Sequence, residues 1–212
     1  MTRPATGTTQ QLARSRGRLN TVPRHLFVYD PPERFVAGTV GEPGSRSFFL
    51  QARSGPRVTS VGLEKEQVAL LAERLEELLD EIVRRTGGST SVPAAVPSDM
   101  TDNEPLDQPI LEEFRVGSLA LAWDESHARI VIEAGAITEA ENPAEPLSDD
   151  PTAEAPDVLR VRLTGGQARA FAARAQAVVA AGRPPCPLCE LPLDPQGHIC
   201  PRQNGYRRRT AA

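Results

Sequence analysis

The sequence has few cysteines, few aromatic residues and no long apolar run. Its 212 residues include three cysteines and one tryptophan, and aromatic residues make up 4% of the chain. No run of about 18 apolar residues is present, so we expect no membrane-spanning helix. Few cysteines, together with an N-terminal stretch that lacks the apolar core of a secretory signal, argue against a disulfide framework. We therefore expect a cytoplasmic protein.

Several sequence features of enzymes are also missing. The glycine-containing segments "GEPGSRS" and "GGST" lack the lysine and the strand-to-helix setting of a phosphate-binding loop. His25 and His127 have no serine or cysteine partner in a recognisable context, so no nucleophilic triad is indicated. Asp30, Glu33 and Arg34 in "YDPPERF" form a polar cluster that is more typical of a turn than of a carboxylate pair. We predict no catalytic residues, and an enzyme of unknown reaction is only the third alternative.

Charge and composition divide the chain into packed and unpacked parts. The formal net charge is −4 and the pI is near 5.5, which argues against a protein whose whole surface binds nucleic acid or an anionic membrane. Twenty prolines and sixteen glycines suggest long connections. We predict a disordered basic arm over residues 1–22, a Pro/Ser/Asp-rich linker over 87–111 and an acidic disordered insert over 138–157.

What the sequence does contain is an internal repeat. Residues 58–79 align without a gap with residues 158–179. The identical pairs are Val58/Val158, Val61/Val161, Leu63/Leu163, Gln67/Gln167, Ala72/Ala172 and Arg74/Arg174. Upstream, "FVAGTV" from Phe35 parallels "FRVGSL" from Phe114, and "FFLQA" parallels "IVIEA".

The repeat predicts an α+β domain over residues 23–182. Each copy reads as strand–strand–strand–helix, with copy one at 23–86 and copy two at 112–182. One copy alone has too little apolar surface for a core, whereas two copies related by a pseudo-twofold axis could bury both helices against a common antiparallel sheet. The matching glutamines, Gln67 and Gln167, fit the capping-box position of each helix.

The matching arginines, Arg74 and Arg174, lie beside the apolar stripe of each helix. A guanidinium at such an edge favours a carboxylate or a phosphate as its partner. One interpretation is a structural ion pair with a sheet residue such as Asp30, Glu33 or Glu133. The other is that both arginines converge on an anionic ligand. We expect the structural role, because no glycine-rich loop nearby would supply further donors.

The segment "CPLCELPLDPQGHIC" holds every cysteine of the chain. Cys186 and Cys189 have the spacing of a metal-binding knuckle, and the turn residues 194–197 would return His198 and Cys200 towards it. Thiolates and an imidazole in a tetrahedral arrangement select zinc, so we predict a structural zinc knuckle. The alternatives are a redox pair, which this proline-rich context disfavours, and inert thiols. Glu190 stands where zinc knuckles usually have glycine.

The composition of residues 183–212 also indicates which classes of partner the protein could bind. We expect an interaction or regulatory protein whose partner is another protein. The alternative is nucleic-acid binding through the zinc module and the basic tail, in which Tyr206 could stack on a base. Arginines outnumber acidic residues in this segment, as shown by Arg183, Arg202, Arg207, Arg208 and Arg209 against Glu190 and Asp194. We expect no membrane partner.

Three stretches carry a resemblance to a known family. They are "FVYDPPERFVAGTVGEPGSRSFFLQA", "VTSVGLEKEQVALLAERLEELLDE" and "PPCPLCELPLDPQGHICPRQNGYRR". Together they resemble the actinobacterial proteins of domain-of-unknown-function family 3090, from His25 to Arg208. The resemblance implies a cytoplasmic protein with no assigned activity, and it transfers no catalytic residue.

Overall fold

The computed structural model describes residues 24–87, 91–138, 156–182, 186–189, 193, 200 and 202. The predicted arm at 1–22, nearly all of the predicted acidic insert and most of the C-terminal segment lie outside these residues, so their predicted disorder stays a prediction. The strands are β1 (Leu26–Tyr29), β2 (Arg34–Val40), β3 (Ser47–Ser54), β4 (Arg57–Leu63), β5 (Glu112–Asp124), β6 (Arg129–Ala136) and β7 (Val158–Leu163). The α-helices are α1 (Lys65–Arg85) and α2 (Gly165–Ala180), and Ser98–Met100 forms a short 3₁₀ helix.

All seven strands form one mixed sheet in the order β1-β7-β6-β5-β4-β3-β2. The α+β class is as predicted, but the prediction of an antiparallel sheet is wrong at two places. β1 pairs with β7 and β4 pairs with β5 in parallel. Parallel neighbours need a crossover, and the first helix with the segment that follows it carries the chain back before β5 begins.

The two hairpins that precede the helices pair in the same register. In the first, Phe48 lies opposite Leu63. In the second, Ile130 lies opposite Leu163. These positions match in the aligned sequences. The "FFLQA" and "IVIEA" strands therefore pair with the strand that follows each of them in the same register.

The strand that precedes β3 and β4 is broken into β1 and β2, whereas β5, which precedes β6 and β7, is continuous. The start of β5 pairs with β4, and its remainder pairs with β6. In the first half, β1 pairs with β7 and β2 pairs with β3. Pro31 and Pro32 separate β1 from β2, because proline has no N–H to donate to a sheet.

The upstream parallel read from the sequence is displaced by five residues. Phe35 lies opposite Ala52, and the residue opposite the matching Ala134 is Leu119. Phe35 therefore corresponds to Leu119 and not to Phe114. A shared phenylalanine and glycine suggested the wrong alignment, because strand position is set by cross-strand pairing and not by residue type.

Both helices pack on one apolar core. Helix α1 buries residues at helical spacing, namely Val68, Leu71, Ala72, Leu75, Leu79 and Ile82. Helix α2 buries smaller residues, and its Phe171 stacks on Phe35 with ring centroids 4.5 Å apart. No helix of the described residues is long and apolar enough to cross a membrane.

The segment between the halves does more than link them. We call residues 98–107 the strap. It follows the buried Val92 and passes from the start of α2 round the edge strand β2. Leu106 is buried against Gly38, where an added Cβ would lie 2.6 Å from Leu106 Cδ2. A larger residue at Gly38 would therefore displace the strap.

Candidate metal centre and arginine cleft

The structure brings together the three cysteines that the sequence singled out. The sulfur atoms of Cys186, Cys189 and Cys200 all lie within 4.8 Å of one another. The Cys186 and Cys200 sulfurs are 3.9 Å apart, and all three residues are free thiols. Two sulfurs bound tetrahedrally to zinc at about 2.3 Å lie roughly 3.8 Å apart, so the cluster has the spacing of a metal site.

Local backbone contacts hold the first cysteine in place. Residues 187–189 form a turn, and Leu188 N donates a hydrogen bond to Cys186 Sγ at 3.4 Å. Burial raises the pKa of the Cys186 thiol, but hydrogen bonds from Leu188, Cys189 and Cys200 lower it, and the net shift is downward. The lowered pKa favours the thiolate, which is the form that binds metal.

A side-chain hydrogen bond connects this turn to the residues that follow Cys200. Arg202 Nη1 donates to Leu188 O at 2.7 Å. His198, Glu190 and the predicted turn at 194–197 lie outside the described residues. His198 as the fourth metal ligand therefore stays a prediction.

The two matching arginines are not brought together. Arg74 is exposed and pairs with Glu77 of its own helix at 2.7 Å. Arg174 is buried, and its Nη1 lies 2.7 Å from Asp102 Oδ1. Two of the sheet residues expected as partners pair elsewhere, Asp30 with Arg162 and Glu133 with Arg160.

Arg174 meets another arginine instead. Arg34 Nε donates to Asp102 Oδ2 at 2.6 Å, and Arg34 Nη2 donates to Asp102 Oδ1 at 3.1 Å. Arg34 from β2 and Arg174 from α2 thus both donate hydrogen bonds to the Asp102 carboxylate of the strap. A cleft of about 760 Å³ surrounds this contact, and we call it the arginine cleft. Its lining includes Arg34, Phe35, Met100, Asp102, Leu163, Phe171 and Arg174.

The charges in the arginine cleft stabilise one another. The hydrogen bond from Arg34 lowers the pKa of Asp102, which therefore stays ionised at neutral pH. Burial lowers the pKa of Arg174 and the Asp102 carboxylate opposes that shift. An arginine keeps its charge under such conditions. Arg34 Nη1 also lies 3.3 Å from Asp107 Oδ2, so two arginines and two carboxylates meet at this place.

No sequence signal identifies Asp102 as the meeting point of the two arginines. Asp102 lies in a Pro/Ser/Asp-rich segment that predicts a linker, 68 residues from Arg34. Arg34 itself stands out only as part of a polar turn. A pattern common to the two aligned segments could not reveal this contact, because Asp102 lies outside both segments.

A match to a family model shows which family the chain belongs to. A family described as "protein of unknown function (DUF3090)" matches residues 27–200. The chain belongs to this family. The matched region includes the three cysteines, both arginines of the cleft and the strap. No curated protein and no solved structure matches the chain.

Proposed function

We propose that this member of the family is a non-enzymatic interaction protein with a structural zinc site. Cys186, Cys189 and Cys200 supply three ligands, and His198 supplies the fourth. The convergence of the three sulfurs carries this proposal. Four protein ligands leave no open position for water or substrate, so the metal would stabilise the segment and take no part in a reaction.

A metal site explains the cysteine cluster better than a redox pair does. A redox pair needs two sulfurs, whereas a third sulfur lies as close here, with Cys200 buried beside Cys186. Soft thiolate ligands favour zinc among the common divalent ions. A cytoplasmic location, in which thiols stay reduced, belongs to the same proposal.

The scaffold that carries this site is proposed to be a duplicated unit. Gln67 Nε2 donates to Val116 O, and Gln167 Nε2 donates to Pro32 O, at 3.1 and 3.0 Å. The register of β5 shifts between Val116 and Ser118, and Pro32 lies before the start of β2, so the two carbonyl groups are near but not at equivalent positions. Each helix glutamine thus contacts the backbone of the other half near its first strand, which supports a pseudo-twofold relation between two copies.

The zinc content of the purified, untagged protein tests the metal proposal. We expect one zinc per chain by elemental analysis, and a loss of that zinc in Cys189→Ser and His198→Ala. His127→Ala is the matched control, since His127 is exposed and hydrogen-bonded to Asp124 far from the cysteines in sequence. Less than about 0.2 zinc per chain, with three titratable thiols, would refute the structural zinc site.

The partner class needs a separate experiment. We propose a protein partner, because the chain as a whole is acidic. Gel-shift titrations at low salt with single- and double-stranded probes should show no binding. Binding that falls steeply as salt rises, and that is lost on deletion of residues 203–212, would replace this proposal with nucleic-acid recognition.

A further inference from the structure

Two buried guanidinium groups in the arginine cleft already hold an oxyanion from the chain itself. We propose that this cleft binds a small organic carboxylate, and that the Asp102 side chain occupies the carboxylate position until the ligand displaces it. The site is independent of the cysteine cluster.

The donors have the arrangement that a carboxylate requires. Arg34 presents Nε and Nη2 to the two oxygens of Asp102, which is the bidentate geometry of guanidinium–carboxylate pairs. Arg174 Nη1 contacts one of the same oxygens at 2.7 Å. Three N–H groups from two elements therefore point at one planar anion, and the cleft shows by its own occupant what it can bind.

The orientation of Arg174 does not depend on Asp102 alone. Its Nε donates to Ala37 O of β2 at 2.9 Å. This contact belongs to the sheet and would persist if the Asp102 side chain moved away. A guanidinium held in this way is preorganised for an incoming oxyanion, which lowers the entropic cost of binding.

The strap is anchored at Asp107, and polar contacts also hold it at Asp102 and at the backbone carbonyl groups of Glu104 and Pro105. Asp107 exchanges two hydrogen bonds with Gln51, at 2.8 and 3.0 Å, and Leu106 is buried beside it. Asp102 keeps 29% of its side chain exposed to solvent. Water therefore reaches the carboxylate that a ligand would displace, while the anchor at Asp107 keeps the strap on the sheet.

The wall of the cleft offers apolar surface for the carbon part of a ligand. Phe171, Leu163 and Met100 line the cleft beside the arginines. Small-molecule sites combine such apolar surface with a few converging polar groups, in volumes of roughly 300–1,000 Å³. The cleft volume of about 760 Å³ lies in this range.

Both guanidinium groups also hold the strap backbone, since Arg34 Nη2 and Arg174 Nη2 donate to Glu104 O. The Arg34 and Arg174 side chains are only 10% and 11% exposed. Burying two guanidinium groups carries a large desolvation cost, and apolar residues of similar size often hold a segment as well or better. Charged groups are favoured at this place if an anion has to bind and leave.

Binding of succinate, measured by titration calorimetry on the full chain, tests the proposal. Removal of the internal carboxylate by Asp102→Ala should strengthen succinate binding about tenfold relative to wild type, because the ligand no longer competes with it. Adding Arg174→Ala to that variant should abolish the binding. Adding Arg74→Ala instead is the matched control and should leave it unchanged. Inorganic phosphate should bind more weakly than succinate.

A wild-type measurement keeps the proposal testable if Asp102→Ala does not fold. The Glu104 amide donates to Asp102 Oδ1 at 2.9 Å, so its NMR signal should shift when succinate displaces that carboxylate. The His127 amide makes the same kind of bond to Asp124 and should not shift. An unchanged Glu104 signal overturns the proposal, as does Asp102→Ala binding succinate no more tightly than wild type. Phosphate binding more tightly than succinate would overturn the assignment to a carboxylate.

Discussion

Arg74 and Arg174 occupy the same place in two matching helices but make unlike contacts. Arg74 has 61% of its side chain exposed and pairs with the next turn of its own helix. Arg174 is 11% exposed and contacts Ala37 O and the strap residue Asp102. The difference shows that the aligned positions of two helices do not give the two side chains the same surroundings, because the strap contacts Arg174 and not Arg74.

The unlike surroundings follow from the course of the strap. It crosses β2, which is an edge strand of the sheet, and it meets α2 near Gly166, whose added Cβ would lie 2.8 Å from Met100 Sδ. β2 and the strap share a small apolar cluster of Val36, Phe49 and Leu106 on the sheet face away from the main core. A covered edge strand is protected from pairing with another chain. The strap thus covers the β2 edge of the sheet and forms part of the arginine cleft beside it.

The sharpest test of this difference is to remove each arginine in turn. Arg174→Ala should lower the free energy of unfolding by about 3 kcal/mol, because Ala37 O and the Asp102 carboxylate each lose a charged hydrogen-bond donor. Arg34 still contacts Asp102 in this variant. Arg74→Ala should lower it by less than about 0.5 kcal/mol, because exposed ion pairs contribute little. Urea denaturation followed by circular dichroism measures both. Equal losses in the two variants would show that the strap contact has no special weight.

Much of the fold was accessible from the sequence because periodic apolar residues specify helices and hairpins. The buried residues of α1 recur at helical spacing. The three cysteines were found by their spacing alone, since metal ligands need particular residue types at short separations.

The rest depended on contacts between residues far apart in the chain. The parallel pairing of β1 with β7 joins residues 132 positions apart, as in Leu26 and Val158. No local pattern specifies such a pairing, because either strand could have paired with another neighbour. The partner of Arg174 could not be predicted for the same reason. A carboxylate in a polar segment has no sequence feature that distinguishes it from a solvent-exposed side chain.

The next largest effect on the free energy of unfolding is expected when the charge of Asp102 is removed. Arg34 holds the pKa of Asp102 below its ordinary value, so the ionised form is favoured in the folded protein. The resulting stability is fully present above the unfolded pKa of about 3.9 and is lost as the pH falls through the lower folded pKa. Asp102→Asn should therefore cost about 2 kcal/mol at neutral pH and progressively less below pH of about 4.

Urea midpoints of wild type and Asp102→Asn at several pH values measure this convergence. Asp99→Asn, at an exposed position of the same segment, is the control and should follow wild type throughout. A difference between Asp102→Asn and wild type that stays constant between pH 7 and pH 3 would contradict an ionic contact.

The smallest effect is expected where the two halves agree. Gln67 and Gln167 each accept a hydrogen bond from the backbone N–H at the start of their helix and donate to a backbone carbonyl group, Val116 O and Pro32 O respectively. Gln67→Ala and Gln167→Ala should each cost about 1 kcal/mol, which is typical of a lost helix cap. Because the contacts match, the two losses should agree within about 0.5 kcal/mol, and the double variant should be additive, since well-separated sites act independently. Denaturation curves of the two single variants and the double variant measure this. A loss confined to Gln167 would show that the strap, and not the shared strand contact, gives this position its importance.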